Sequence, residues 1–209
     1  MEVVLIDYGA GNLHSVEKAL LAAGVPARRT ADPEVARDAR ALVLPGQGHF
    51  GQVMRSFEQS GFAPVVAAHL AAGAPFLGIC IGLQLLTRGS EEAPGVAGLG
   101  VLDAEVRRFP AQGVSVPQMG WNQVWPLGAP ALLAGVAPGA FVYFANSYYV
   151  TFPDGVVPSG AETVYGETRF LSAVSIGHLQ ATQFHPEKSQ AVGLRVLRNF
   201  GATVRGAAT

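Results

Sequence analysis

APFLGICIGLQLL, residues 74–86, decides how the rest of this 209-residue chain is read. FLGIC (76–80) is apolar at every position, the pattern of a central strand in a parallel sheet covered on both faces. Gly78 and Gly82 stand two residues on either side of Cys80, the only cysteine in the chain. That is the G-x-nucleophile-x-G spacing of an elbow, in which a strained strand-to-helix turn lifts a nucleophile off the end of a sheet. Glycines at these positions let strand and helix approach without Cβ clashes. Leu83-Gln84-Leu85-Leu86 suits a helix, so Cys80 falls at a helix N-terminus, where backbone N–H groups and the dipole favour a thiolate. A free cysteine is equally among the most buried and inert residue types. The pentapeptide alone leaves both readings open.

The elbow needs a sheet, and the flanking sequence supplies one. VVLID (3–7) reads as a strand and Asn12 to Ala23 as a helix. A second strand lies near Ala27 to Arg29, and a helix starts at Asp32-Pro33, with Asp as cap and Pro in the first turn. ALVLPG (41–46) is a third strand, followed by helices over Phe50 to Gln59 and Ala63 to Ala72. Short apolar strands alternating with helical patterns signal βαβ units and a parallel sheet. From about Leu99 the texture changes to GVLDAEVRRF, VYFANSYYV and AETVYG, which predict antiparallel pairs added at one side. A last helix runs from Ser189 to about Phe200, and the tail after Gly201 is expected to fray.

Composition excludes several classes of function. Fourteen Lys plus Arg against fifteen Asp plus Glu leave no basic excess for a nucleic-acid backbone. The segment from Gln59 to Thr87 has no charged residue, but Gly73-Ala74-Pro75, Gly78 and Gly82 divide it into core elements, so no membrane span is expected. The first residues lack a basic region before their apolar run and do not read as a secretory signal. One cysteine forms no intrachain disulfide and no structural zinc set, which fits a reducing compartment such as the cytoplasm. No metal or cofactor site is expected. Gly9-Ala10-Gly11 follows a strand like a nucleotide loop, but His14 replaces the third glycine and Asp7 would repel a phosphate.

A thiolate needs a base and a group to orient it, which directs attention to TQFHPEKS (182–189). Proline after His185 favours an extended conformation there, and Glu187 can then bond one ring nitrogen while the other faces the thiol. Alone, His-Pro-Glu is more often a turn with an exposed carboxylate; together with the elbow it completes Cys-His-Glu in chain order.

GICIGLQLL with FHPEKS resembles the class I glutamine amidotransferases. Within them, DYGAGNLHSV, LPGQGHF, MGWN (119–122), NSYYV and FHPEKS, in this order over essentially the whole chain, resemble the glutaminase subunits of imidazole glycerol phosphate synthases. The resemblance implies one domain over residues 1–209 with a three-layer, flavodoxin-like α/β fold: a mostly parallel central sheet flanked by helices, with an added antiparallel portion. It assigns Cys80 as nucleophile, His185 as base and acid, and Glu187 as orienter. The Ile81 amide and Gly48, in Pro45-Gly46-Gln47-Gly48, match the oxyanion positions, and Gly46, Gly48, Gln84, Glu92, Ser147 and Tyr148 match the glutamine site. Relatives commonly carry an aliphatic residue at the position of Gln47. Read without the resemblance, Gln84 is an ordinary polar helix position, Glu92 a solvated loop residue and Tyr148 a sheet aromatic.

Asn12, Met119, Trp121 and Lys188 match partner-facing positions, although Trp121 could equally be buried in a β-hairpin. The implied partner is a separate (β/α)8-barrel cyclase forming a heterodimer. It combines ammonia with a phosphoribulosyl nucleotide to give imidazole glycerol phosphate and an aminoimidazole carboxamide ribotide, in histidine biosynthesis. The two glycines at 46 and 48 make a peptide flip cheap, so the free chain is expected to rest with its oxyanion amide turned away until the partner and nucleotide shift the population. Two alternatives share the triad motifs: the glutaminase subunit of another ammonia-transferring synthase, against which MGWN and the length tell, and a non-catalytic regulatory member, against which the intact Cys80, His185 and Glu187 tell.

Overall fold

A computed structural model describes residues 2–9, 11–152 and 159–207. Its first half is built of β1 (Val3–Ile6), α1 (Leu13–Ala22), β2 (Ala27–Thr30), α2 (Pro33–Arg37), β3 (Ala41–Leu44), α3 (Phe50–Gln59), α4 (Phe62–Ala71), β4 (Phe76–Ile79) and α5 (Ile81–Gln84). The second half holds β5 (Glu105–Arg108), β6 (Gln118–Leu127), β7 (Ala140–Asn146), β8 (Tyr148–Thr151), β9 (Gly160–Tyr165), β10 (Thr168–Ile176), β11 (Leu179–Thr182) and α6 (Gln190–Gly206). The sheet runs β2-β1-β3-β4-β11-β10-β9-β6-β7, with β8 on β10 and β5 on β8. From β2 to β11 neighbours are parallel, and beyond β11 every pair is antiparallel.

The alternation of side chains along each strand divides the core in two. Val4, Ile6, Leu42, Leu44 and Phe76 face one way and pack with Phe50, Phe57, Phe62 and Val66 of α3 and α4. Val3, Leu5, Val43, Leu77 and Ile79 face the other way and meet Leu13, Val16 and Leu20 of α1 and Val196, Leu197 and Phe200 of α6. These are the three layers of the expected fold. Asp32 caps α2, its side chain accepting from the Glu34 amide, and Pro33 opens the helix.

Three local expectations are corrected. The last helix does not stop near Phe200 and fray but continues to Gly206, because Val204 is buried, Gly201 lies against Val25 and the Arg40 side chain donates to the Val204 carbonyl. VYFANSYYV is broken at Ser147 into β7 and β8, which pair with different strands. Of GVLDAEVRRF only Glu105–Arg108 is a strand; Ala104, just before it, spends its carbonyl on the Arg88 amide.

Candidate active site

The sequence 78–82 folds as an elbow. Strand β4 ends at Ile79 and Cys80 turns out of it at φ 55°, ψ −105°, in the left-handed half of the map, where a non-glycine residue is strained and characteristic of functional sites. Its own N–H is tied to the Thr182 carbonyl at 2.7 Å. The crossing explains the glycines: a Cβ on Gly82 would lie 2.0 Å from the Leu44 carbonyl oxygen, and one on Gly78 2.8 Å from the Gly82 oxygen. The helix that follows is a single turn, Ile81–Gln84.

The parallel pairing of β4 with β11, Ile79 opposite Thr182, brings the 182–189 segment beside the elbow. His185 is extended at φ −95°, ψ 99°, and one turn of 3-10 helix, Pro186–Lys188, carries Glu187 back to it. His185 Nδ1 lies 2.8 Å from Glu187 Oε1, the two side chains being 5% and 2% exposed. A carboxylate only accepts, so Nδ1 carries the proton and Nε2 is left for Cys80, which is near enough to raise the imidazole's pKa. Burial pushes the imidazole down, but the charge and hydrogen bond of Cys80, followed by those of Glu187, outweigh it and raise its pKa from the usual 6.5 to about 10. The imidazolium form is therefore favoured, with the Glu187 carboxylate held against its Nδ1.

Ser189, which the sequence reading treated only as a helix start, locks this turn. Its hydroxyl donates to the His185 carbonyl at 2.7 Å and accepts from the Tyr143 amide at 2.9 Å. The His185 amide in turn donates to the Tyr143 carbonyl. Strand β7 thus fixes the backbone that aims the imidazole.

Cys80 opens into a cleft of about 140 Å³ lined by Gln47, Gly48, Ile81, Gln84, Glu92 and residues 145–148, with Pro117 at its wall. The candidate substrate residues Gly48, Gln84, Glu92, Ser147 and Tyr148 therefore meet around one sulfur. Among the described residues the amides of Gly48 and Ile81 have no acceptor. Gly46 does not reach the cleft: it is buried behind it, where a Cβ would lie 2.0 Å from the Ile81 side chain and 2.2 Å from the Tyr8 hydroxyl. Only Gly48, at φ 121°, has a conformation that glycine alone adopts easily. The Tyr8 hydroxyl, with its pKa raised by burial first and by Cys80 second, donates to the Pro45 carbonyl and holds the start of this loop.

Glu92 is a cleft residue with a second task, since its Oε2 accepts from the Phe50 amide at 2.7 Å and caps α3. Gln84 donates through Nε2 to the Tyr148 carbonyl and to Gln183. Both its amide protons are engaged, so its oxygen is the group it can offer a ligand.

Beside the cleft lies an exposed face. Met119 and Trp121 are 68% and 46% exposed, so Trp121 is not a buried hairpin residue. Trp121 meets Tyr143 edge-on, and the Lys188 ammonium stands 5.6 Å above the Tyr143 ring. Met119 is opposite Ala145, a cleft residue, so the face begins at the cleft's rim. Asn12 is exposed at the start of α1, where its side chain accepts from the Ser15 amide as a helix cap. Tyr143 was missed because its role is visible only once β6, β7 and the 186–188 turn are brought together. The Gly9 amide, which a nucleotide-loop reading would offer to an anion, is taken by Asp7, which also pairs with Arg29 at 2.7 Å. Among the described residues no three His, Cys, Asp or Glu gather as metal ligands, and no helix is long and apolar enough to cross a membrane.

Comparison with known proteins agrees with this geometry. The family described as "Glutamine amidotransferase class-I" matches residues 4–204. The chain is 54% identical over 200 residues, 95% of its length and 92% of the relative's, to "Imidazole glycerol phosphate synthase subunit HisH" of Deinococcus radiodurans. It is 52% identical to a protein of the same name from Thermus thermophilus, over 94% of this chain and 95% of that one. Among solved structures, a glutamine amidotransferase crystal structure superposes with a TM-score of 0.74 at 20% identity, covering 97% of this chain and 98% of the other. The glutaminase domain of Trypanosoma brucei CTPS with bound acivicin superposes at 0.70 and 16% identity, covering 99% and 94%; both likenesses concern the fold alone. The chain belongs to the class-I glutamine amidotransferases, in the branch of the HisH subunits of imidazole glycerol phosphate synthase.

Proposed function

We propose that residues 1–209 form a single glutaminase domain that hydrolyses glutamine to glutamate and passes the ammonia to a separate (β/α)8-barrel cyclase bound as a heterodimer. The cyclase makes imidazole glycerol phosphate and aminoimidazole carboxamide ribotide in histidine biosynthesis, in the cytoplasm. The observation that carries this reading is the buried Glu187-His185-Cys80 array, with the sulfur at a left-handed elbow facing a cleft.

The chemistry follows from the positions. The Cys80 thiolate adds to the side-chain amide carbon of glutamine, and the amides of Gly48 and Ile81 receive the oxyanion. The His185 imidazolium gives its Nε2 proton to the departing nitrogen, releasing ammonia and leaving a γ-glutamyl thioester. Neutral His185 then takes a proton from water, whose oxygen attacks the thioester; the carbon–sulfur bond breaks and the sulfur leaves with the electron pair. Glu187 keeps Nδ1 protonated throughout and stabilises each imidazolium. Gln84, Glu92, Ser147 and Tyr148 hold the substrate, Glu92 being suited to its α-ammonium.

A partner is required by the fate of ammonia. In neutral water it is protonated and loses its nucleophilicity, so it has to reach its acceptor without leaving the protein. The exposed face of Met119, Trp121 and Lys188 beside the cleft suits the docking of that acceptor enzyme, and Asn12, exposed at the start of α1, is assigned to the same interface by this reading. The test is glutamate formation by the chain copurified with a cyclase, with and without the nucleotide, beside Cys80→Ala. Glutamate formed only by wild type, and faster with cyclase and nucleotide, is expected; equal rates for Cys80→Ala would sink the assignment.

A further inference from the structure

Gln183 has no part in the scheme above, yet it is the most enclosed polar side chain beside the sulfur, with 0% exposure. It follows β11 directly, and its amide donates to the Ser172 carbonyl, which fixes its backbone. Its side chain spans two cleft residues: Oε1 lies 3.1 Å from Gln84 Nε2, and Nε2 lies 3.6 Å from Cys80 Sγ. The sense of this amide is determined by its neighbours. The Tyr148 carbonyl, which can only accept, holds Gln84 Nε2 at 3.2 Å and so turns the amino group of Gln84 inward. Gln84 therefore presents an N–H to Gln183, whose oxygen must face it, and the amino group of Gln183 is turned to the sulfur.

An N–H donor aimed at sulfur from a fully enclosed position favours the anion over the thiol, because the bond strengthens with the charge on the acceptor. We propose that Gln183 is a positioning residue that fixes the Cys80 sulfur as a thiolate for attack. This deepens the glutaminase reading and rests on it. The same N–H serves the second half of the reaction: when water adds to the thioester and the carbon–sulfur bond breaks, the departing sulfur carries the electron pair onto a donor already in place. The chain Tyr148 carbonyl, Gln84, Gln183, Cys80 also links the wall of the cleft to the nucleophile, so Gln84 serves both the substrate and the sulfur.

The test is the rate of alkylation by iodoacetamide as a function of pH, on the full chain, where Cys80 is the only cysteine. In Gln183→Leu the donor is lost, and the pH of half-maximal alkylation should rise by about one unit. In Gln183→Glu a carboxylate replaces the donor and the rise should be larger. With the cyclase present, kcat/KM for glutamine should fall about tenfold in Gln183→Leu. Coincident profiles in wild type and folded variants would overturn the proposal. Should neither variant fold, the side-chain 15N–H resonances of Gln183 in the wild type provide the measure. They should move with the ionisation of the sulfur, and their indifference to it would overturn the proposal. Alkylation needs no glutamine, so failure of the glutaminase reading would appear separately, as absent glutamate with the shift in profile intact.

Discussion

His185 Nδ1 and Glu187 Oε1 face each other at 2.8 Å in a site from which water is almost excluded, while Glu187 Oε2 is buried with no hydrogen-bond partner among the described residues. The carboxylate thus directs itself through one oxygen at one imidazole. Glu187→Gln keeps an acceptor for Nδ1 and removes the charge, so it separates orientation from electrostatics. His185 holds its proton up to about pH 10 because Cys80 and, after it, Glu187 oppose the effect of burial. Without the carboxylate the imidazolium loses its proton at lower pH. The alkaline limb of glutaminase activity should move down in Glu187→Gln, with a loss of about ten- to a hundredfold in kcat at neutral pH. The sign holds for stability as well: a raised folded pKa contributes fully below about 6.5 and is lost as pH rises toward 10, so the variant should lose that contribution at lower pH. Rate and denaturation profiles against pH check both.

Gly82 and Leu44 are in contact through backbone alone. A Cβ at 82 would sit 2.0 Å from the Leu44 carbonyl oxygen, an atom of β3 that no rotamer change can move. Gly82→Ala should cost about 1–3 kcal/mol or more and displace the elbow, so that the mutant loses glutaminase activity even where it still folds. Thermal denaturation and Cys80 alkylation, measured together, test this: an alanine variant with wild-type Tm and alkylation rate would contradict the packing argument.

Much of this was legible in the sequence for local reasons. Strands β1, β3 and β4 are short unbroken apolar runs, and α2 is marked by Asp32-Pro33, so neighbouring residues carried the signal. Cys80, His185 and Glu187 were found because two short motifs each hold their own geometry. Where pairing is between distant segments the text was less informative. Strand β5 is defined by its register with β8, Arg108 opposite Tyr148, and Ser147 splits an apparently continuous strand because its two sides serve different partners. Gln183 lies just beyond β11, where the chain bends, and the sulfur it points to is set by β4, so no local pattern announces the contact. At Gly46 glycine has a reason that no local pattern shows: the space for a side chain is already filled by Ile81 and Tyr8.

Ser189 binds the site's backbone to β7. Ser189→Ala removes the donor to the His185 carbonyl and the acceptor for the Tyr143 amide, leaving both groups enclosed. The expected loss is about 1–3 kcal/mol of stability, with a drop in kcat larger than any change in KM because the imidazole loses its aim while the cleft is intact. Urea denaturation and steady-state kinetics with the cyclase measure the two effects.

Lys188 over Tyr143, and Tyr143 against Trp121, make a preformed cationic and aromatic face, the composition in which interface energy concentrates. Lys188→Ala and Trp121→Ala should each weaken binding to the cyclase about tenfold or more, read by titration calorimetry. Arg37→Ala, an exposed charge on α2 in the opposite helical layer, serves as the control and should bind as wild type does. Equal affinities for all three would place the docking face elsewhere.

His69 tests the sheet's other side through pH. It is buried on α4, Nε2 donates to the Pro75 carbonyl at 2.9 Å, and burial holds its pKa below 6.5 against the opposing effect of that bond. A base whose folded pKa is depressed contributes stability above its unfolded value, about 6.5, and loses it as pH falls, since the unfolded chain takes up the proton first. His69→Gln retains an N–H for the Pro75 carbonyl and removes the titration. The difference in Tm between wild type and variant should therefore be more favourable to wild type at about pH 7 than at about pH 5. A difference that does not change between these values would show that His69 accepts its proton in the folded chain without cost, and that the turn at Gly73-Ala74-Pro75 leading into β4 opens to water.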